Sequence, residues 1–281
     1  MKNLPSGKPV RSKNNRKGNE LENQVWLQNL SWEEVRQRTG QSRGTIILPV
    51  GSTEQHGYHL PVGTDTMVAI SIAEDAALKA NVLVAPPLWF GWSPHHMVLP
   101  GTITIRPEIL IEVMFDVINS LQRHGFDKYI LLNGHRIVNI SWLQIAAERA
   151  QRELGIKAVI FDPAYMSKEF TQNLGWGEVG HAEEIETSHL WYKYPELVKM
   201  DKAQDNPHNH RRIYHVDPKY AGDTLSYVPS SPSEMELLAE KSGGTAGEPS
   251  KASREGGKKY HEHLVQRMVE VITMLQEPGQ K

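Results

Sequence analysis

The sequence predicts an α/β fold, specifically a three-layer α/β/α sandwich with a mainly parallel sheet. From residue 45 onward, short β-rich runs alternate with amphipathic segments of helix length, which is typical of parallel strands joined by crossover helices. The 281 residues are 39% hydrophobic, which is enough for a large core. The pattern indicates neither an internal repeat nor a second core, so we expect a single domain at residues 25–281.

Four strands are expected, near residues 45–50, 82–85, 128–132 and 158–161. After Pro107, which suits a first helical turn, apolar residues recur at helical spacing and predict a buried helical face. Its two adjacent stripes are Ile109, Val113, Val117 and Leu121, with Leu110, Met114 and Ile118 alongside. A second helix is expected from Ile140 to a C-terminal cap at Gly155. A last helix is expected at residues 254–275.

Two segments lack these periodicities. The first eighteen residues carry six basic residues, no acid and almost no apolar residue, so they bury too little surface to offset the entropy of ordering. We expect a flexible basic tail at residues 1–24, which lacks the apolar stretch of a secretory signal. Residues 201–231 show no clean period and predict a long functional or interface loop.

Composition excludes several classes of protein. The 31 basic and 33 acidic residues give a net charge of −2, unlike a dedicated nucleic-acid-binding protein. No apolar run approaches the roughly 20 residues of a membrane helix. We therefore expect a cytoplasmic protein that binds neither nucleic acid nor membranes. Because the chain has no cysteine, histidines and carboxylates must supply the ligands of any metal, and 13 histidines are present.

Candidate metal ligands follow the predicted strands, at the end of a parallel sheet where ligands bind. Three loops supply a mixed oxygen and nitrogen set suited to one or two divalent ions such as Zn²⁺ or Mn²⁺. These residues are Glu54, His56, Asp65, His135 and Glu184. Asp65 is the natural bridge, because its two oxygens can each meet a different ion. Each motif alone also fits a helix cap, a turn or a buried hydrogen-bonding group, so the residues by themselves leave both interpretations open.

Several motifs together resemble the creatininase (creatinine amidohydrolase) family. They read LPVGSTEQHG at 48–57, LPVGTDT at 60–66, PGTI at 100–103, NGH at 133–135, and GHA at 180–182 with ETS at 186–188. A fainter match is GTAGEP at 244–249. The resemblance implies an α/β/α fold, usually in a hexamer, with a two-metal site that hydrolyses non-peptide amide bonds. The ligands it implies are Glu54, His56, Asp65 as the bridge, His135 and Glu184.

The chain departs from the family pattern in the loop after His135. Creatininase itself has a metal-binding Glu where this chain has Ile137, and a larger branch of the family reads Asn-Gly-His-Gly-Gly-Asn there. This chain reads His-Arg-Ile-Val-Asn at 135–139, with two glycines replaced by bulk and one residue inserted. In that branch the resemblance assigns the missing ligand to Glu184 and places a glycine at the position of Glu183. Creatinine is therefore not expected to be the substrate.

The expected activity is hydrolysis of a cyclic or formyl-type C–N amide of a small molecule by a metal-bridging hydroxide. Two divalent ions per chain are expected, Zn²⁺ and/or Mn²⁺, with Fe²⁺ as a further option. His181 is expected to act as acid and base, with Glu186 orienting it or a ligand. The expected substrate contacts are Trp92, Ser93, His95 and Trp176. The alternatives are a metal-dependent lyase or isomerase and a catalytically silent oligomeric binding protein.

Overall fold

A computed structural model of the chain describes residues 23–177, 179–207 and 232–277. Within these residues, four strands form one parallel sheet in the order β2-β1-β3-β4. The strands are β1 (Thr45–Val50), β2 (Leu83–Val84), β3 (Lys128–Asn133) and β4 (Lys157–Phe161). All four predicted strands are confirmed, with ends that differ by one residue at most. The predicted tail up to residue 22 and residues 208–231 of the predicted loop lie outside the described residues.

The described helices flank this sheet. They are α1 (Trp32–Gln41), α2 (Thr64–Ala80), α3 (Pro107–Gln122), α4 (Ile140–Leu154), α5 (Pro163–Met166), α6 (Lys168–Asn173), α7 (Glu184–Lys193), α8 (Pro232–Ser242) and α9 (Arg254–Gln276). Short 3₁₀ turns lie at Leu27–Asn29, Pro94–Val98, Pro195–Leu197, Met200–Lys202 and Pro249–Lys251. In the part of the chain that the structure describes, no helix combines the length and apolar character needed to cross a membrane.

The sheet separates two hydrophobic cores, which gives the predicted three layers. Side chains alternate between the faces of a strand, so Ile46 and Leu48 pack on one side of β1 and Ile47 on the other. Helices α3 and α4 cover the face of the sheet that carries Ile46 of β1 and Leu131 of β3. Helices α2, α7 and α9 cover the opposite face, which carries Ile47 of β1 and Ile130 of β3. The molecule is therefore an α/β/α sandwich.

Only one of the two apolar stripes predicted for α3 is buried. Leu110, Met114 and Ile118 face the sheet and are at most 2% exposed. The other stripe is about 40% exposed at each of its first three positions, Ile109, Val113 and Val117. Neighbouring positions on a helix point about 100° apart, so a helix that packs on one flat sheet cannot bury both stripes.

Two glycines let the strand ends approach the start of α2. A Cβ atom on Gly134, which follows β3, would lie 2.0 Å from the carbonyl oxygen of Asp65. A Cβ on Gly51, which follows β1, would lie 2.2 Å from the hydroxyl of Thr66. These close contacts bring the loops after β1 and β3 against the first turn of α2, so the predicted ligands of three segments can meet.

Candidate metal centre

Glu54 lies at the centre of a buried polar cluster beyond the carboxyl end of β1. Its side chain is fully buried, and its Oε1 and Oε2 lie 3.3 Å from Nε2 of His96 and Nε2 of His135. Neither oxygen has a hydrogen-bond partner of acceptable geometry. Burial raises the pKa of Glu54 to about 7, although His135 opposes the shift.

Asp65 is shared between two histidines. Its Oδ1 lies 3.1 Å from Nε2 of His56, and its Oδ2 lies 3.0 Å from Nδ1 of His135. Burial alone would lower the pKa of both histidines, but the nearby carboxylates raise it to about 10 for His56 and about 9 for His135. Burial would raise the pKa of Asp65, but the two histidines hold it well below its usual range. The cluster therefore stabilises positive charge between its carboxylates and imidazoles.

A further carboxylate, from Glu186, completes the cluster on the side of His56. Glu186 Oε2 accepts a hydrogen bond from the Ala182 N–H at 2.7 Å and lies 3.7 Å from Nε2 of His56. The ring of His181 lies beside that of His56, with centroids 4.4 Å apart. Burial would raise the pKa of Glu186, but Arg136 and His56 lower it.

These side chains fit divalent cations. Candidate ligand atoms lie within 4.8 Å of one another in three groups: Glu54 with Asp65 and His135, His56 with His181 and Glu186, and Glu54 with His96 and His181. Histidine nitrogens and carboxylate oxygens are ligands typical of zinc and manganese. His56 also directs Nδ1 towards the Glu54 carbonyl oxygen at 3.1 Å, which leaves Nε2 for the cluster, as in metal-binding histidines. The unpartnered oxygens of Glu54 supply the coordination capacity such ions need.

Gln55 fixes the tautomers of two histidines in this cluster. Its Oε1 accepts from the Gly57 N–H at 3.0 Å, so its Nε2 donates to Nδ1 of His96 at 2.8 Å. His96 then carries its proton on Nε2, which faces Glu54 Oε1 at 3.3 Å, so this nitrogen has no free lone pair for a metal. The Gln55 carbonyl oxygen accepts from Nε2 of His181 at 2.5 Å, which leaves the His181 Nδ1 lone pair facing the cluster.

The structure does not bring Glu184 to the cluster, contrary to the expectation from sequence. Its oxygens accept hydrogen bonds from the backbone N–H groups of Gly177 at 2.7 Å and Glu248 at 2.9 Å. Helix α7 begins at Glu184. Residues two apart on a helix point about 200° apart, so Glu184 faces away when Glu186 faces the cluster. Glu186 therefore takes the place that the family resemblance gives to Glu184.

The predicted substrate contacts divide into two pairs. The Ser93 hydroxyl lies 3.4 Å from Nε2 of His135, and the ring of His95 lies 6.3 Å from that of the same histidine. Trp92 packs against the α3 and α4 core, and Trp176 packs against Tyr260. No described hydrogen bond or ring contact joins either tryptophan to the cluster. A substrate role for any of the four residues stays a prediction.

Three residues near the cluster were not among the predicted site residues: Gln55, His96 and Arg136. Gln55 lies within the motif at 48–57 and His96 directly follows the predicted substrate contact His95, but only the contact between them, across 41 residues of sequence, shows their roles. Arg136 stands where the related branch has glycine, and its guanidinium lies against Glu186. The larger residue at this position was one of the signals of an altered loop in the sequence.

The chain is therefore a parallel α/β/α sandwich with a candidate metal centre of buried histidines and carboxylates beyond its strand ends. The family model described as "Creatininase: Creatinine amidohydrolase" matches residues 28–272. The chain thus belongs to the creatininase family, and the prediction of a hydrolase of this family is confirmed.

Relatives in this family differ in the compounds they are named for. The chain is 32% identical to a 3-dehydro-scyllo-inosose hydrolase of Thermotoga maritima, over 90% of this chain and 84% of that one. It is 30% identical to a creatinine amidohydrolase of Pseudomonas putida, over 65% of this chain and 77% of that one. A crystal structure of creatininase superposes with a TM-score of 0.75 at 26% identity, over 91% and 99% of the two chains. Other similar creatininase structures are described as Zn-Zn and Mn forms.

The separate positions of Glu184 and Glu186 predict separate consequences of mutation. We expect Glu184→Ala to lower the free energy of unfolding by about 1–3 kcal/mol, because two backbone N–H groups lose a carboxylate acceptor. Bound metal should not change, whereas Glu186→Ala should lower it. Urea unfolding and elemental analysis of both variants check this. Equal metal loss in the two variants would indicate that Glu184 is a metal ligand after all.

Proposed function

We propose that this protein is a metal-dependent amidohydrolase that cleaves a cyclic or formyl-type C–N amide bond of a small molecule. The observation that carries the proposal is the shared carboxylate of Asp65, which contacts His56 through one oxygen and His135 through the other. A carboxylate in this position can bridge two ions. The Zn-Zn and Mn forms of similar structures support zinc or manganese.

The ligand sets follow from the contacts. Glu54, Asp65 and His135 would hold one ion, and His56, Asp65 and Glu186 would hold the other. Divalent ions at such a site lower the pKa of a water and polarise a carbonyl oxygen, so no protein nucleophile is needed. His96 supports this arrangement by pointing its protonated Nε2 at Glu54 from 3.3 Å.

We propose His181 as the group that moves the proton. Its Nε2–H is held by the Gln55 carbonyl oxygen, and its Nδ1 faces Glu54 Oε1 at 3.6 Å. Burial and the neighbouring His56 lower the pKa of His181 to about 3, which favours the neutral ring. A neutral ring accepts a proton at Nδ1 from the attacking water and then donates it to the leaving nitrogen.

A second candidate is hydrolytic cleavage of a C–C bond in a carbocyclic diketone, in which water adds to one carbonyl and the other carbonyl stabilises the carbon that leaves. The Thermotoga maritima relative, which matches 90% of this chain, is named for a substrate of that chemistry, without nitrogen. The same residues would serve the reaction, since a carbonyl is attacked in both cases. The two candidates differ in the atom that receives the proton, which is nitrogen in an amide and carbon in a diketone.

The first prediction concerns the metals and the bond. We expect the purified protein to hold about two divalent ions per chain, and a chelator to abolish activity that Zn²⁺ or Mn²⁺ then restores. The activity should be measured on a panel of cyclic amides, formyl amides and carbocyclic diketones, with release of amine or ammonia as the readout for an amide. Full activity of metal-free protein contradicts the proposal, and turnover confined to the diketones selects the second candidate.

The second prediction concerns His181. His181→Ala should keep its metal but lose about 10²–10⁴-fold in turnover, because the proton transfer loses its carrier. His124→Ala is the matched control, since His124 is exposed and lies outside the cluster. Wild-type turnover in His181→Ala would remove this residue from the mechanism.

We also propose that the chain forms a homohexamer, as the family resemblance implies. Exposed apolar side chains support self-association: Val62, Trp89 and Ile103 are 40%, 39% and 46% exposed. Light scattering at micromolar concentration should give about six times the 31.8 kDa chain mass. A monomeric mass would contradict the assembly without affecting the metal centre.

A further inference from the structure

A buried arginine lies between two glutamates beside the metal centre. Nη2 of Arg136 lies 2.7 Å from Glu183 Oε1 and 2.6 Å from Glu186 Oε1. Nε of Arg136 also donates to Glu186 Oε1 at 3.1 Å. The three side chains are 4%, 0% and 9% exposed, in the order Arg136, Glu183, Glu186. An unpaired charge is costly to bury, so removing one of these side chains would destabilise the burial of the others. We call the three residues the Arg136 clamp.

The backbone on each side of the clamp is bent in the left-handed conformation. Ile137, next to Arg136, has φ of 67°, and Ala182, next to Glu183, has φ of 51°. Such conformations of non-glycine residues cost about 1–3 kcal/mol each, and a β-branched residue rarely adopts them. Hydrogen bonds hold both bends, from the Ile137 N–H to Asp162 and from the Ala182 N–H to Glu186. The fold therefore maintains backbone strain at Ile137 and Ala182, the residues next to Arg136 and Glu183.

The clamp gives the two oxygens of Glu186 separate contacts. Oε1 accepts from both Nε and Nη2 of Arg136. Oε2 accepts from the Ala182 N–H and faces Nε2 of His56. A carboxylate fixed at one oxygen by a planar guanidinium cannot rotate freely, so Oε2 is held towards the metal centre.

We propose that Arg136 and Glu183 are positioning residues that act together to orient Glu186 for metal binding. The inference rests on the proposed function, because it takes Glu186 as a ligand. Glu183 engages Nη2 through both of its oxygens, at 2.7 and 3.0 Å, and so keeps the guanidinium from drawing Glu186 Oε2 away from His56.

A double-mutant cycle on the full chain tests this coupling. Metal-free wild type, Arg136→Ala, Glu183→Ala and the double variant are titrated with Co²⁺ alone, whose absorption spectrum reports its ligands. We expect each single variant to bind one of two Co²⁺ ions about 10–100-fold more weakly, as is typical when a residue that orients a ligand is removed. The other ion should keep its affinity. The loss in the double variant should be smaller than the product of the two single losses, because neither charge is then left alone.

Three variants separate positioning from stability. Arg136→Lys keeps the buried charge without the planar fork, so it should fold and still bind one ion more weakly, even if Arg136→Ala does not fold. Glu183→Gln keeps an acceptor oxygen and should restore most of the affinity. Arg38→Ala is the matched control, since Arg38 is also fully buried but contacts the Gln24 carbonyl oxygen and Asn81. It should lower the unfolding temperature and leave Co²⁺ binding unchanged.

The outcomes distinguish this inference from the proposed function. If the wild type binds two Co²⁺ ions and Arg136→Lys and Glu183→Ala bind both with wild-type affinity, the inference is overturned. The proposed function is then unaffected. If the loss of Co²⁺ affinity in the double variant equals the product of the two single losses, the coupling between Arg136 and Glu183 is overturned. A wild type that binds no Co²⁺ overturns the proposed function and, with it, the role given to the clamp.

Discussion

The site depends on one buried carboxylate that two imidazoles share. Asp65 lies in the first turn of α2, where the positive end of the helix dipole favours a negative charge. Its position relative to β1 and β3 is set by Gly51 and Gly134, since larger side chains there would collide with the same helical turn. Once Asp65 is fixed, His56 and His135 are brought to either side of it, and Glu54 is buried against His135.

Much of this arrangement could be predicted from the sequence because it follows from the ends of strands. Parallel strands end at one edge of the sheet, so the side chains after β1 and β3 had to converge there. Glu54, His56, Asp65 and His135 do converge. The assignment of Glu184 failed for a local reason, namely the residue at which α7 begins. Because α7 begins at Glu184, with Ala182 bent before it, Glu186 points towards the cluster and Glu184 away from it.

The remaining features depend on contacts that no short sequence pattern contains. Gln55 reaches His96 across 41 residues, and Arg136 reaches Glu183 across 47. The tryptophans show the converse limit, because an aromatic residue near a functional loop can serve a core equally well. Trp176 is 9% exposed and packs on Tyr260, so its place in the sequence alone does not separate a packing role from a substrate contact.

The choice of substrate must come from the walls of the site rather than from its ligands. Hydrolysis of an amide and hydrolytic cleavage of a diketone both begin with attack on a carbonyl, so the same ligands and the same proton carrier serve either reaction. The 3₁₀ segment at Pro94–Val98 is joined to the centre, because Ser93, which precedes it, bonds Ser52 at 2.6 Å, while His96 contacts Glu54. A Cβ on Gly91 would lie 2.8 Å from the Gly51 carbonyl oxygen, so this wall cannot move independently of the loop after β1. A change of substrate in this fold therefore has to alter this segment without disturbing Glu54, and the constraint extends to His95, whose ring contacts that of His96 with centroids 4.1 Å apart.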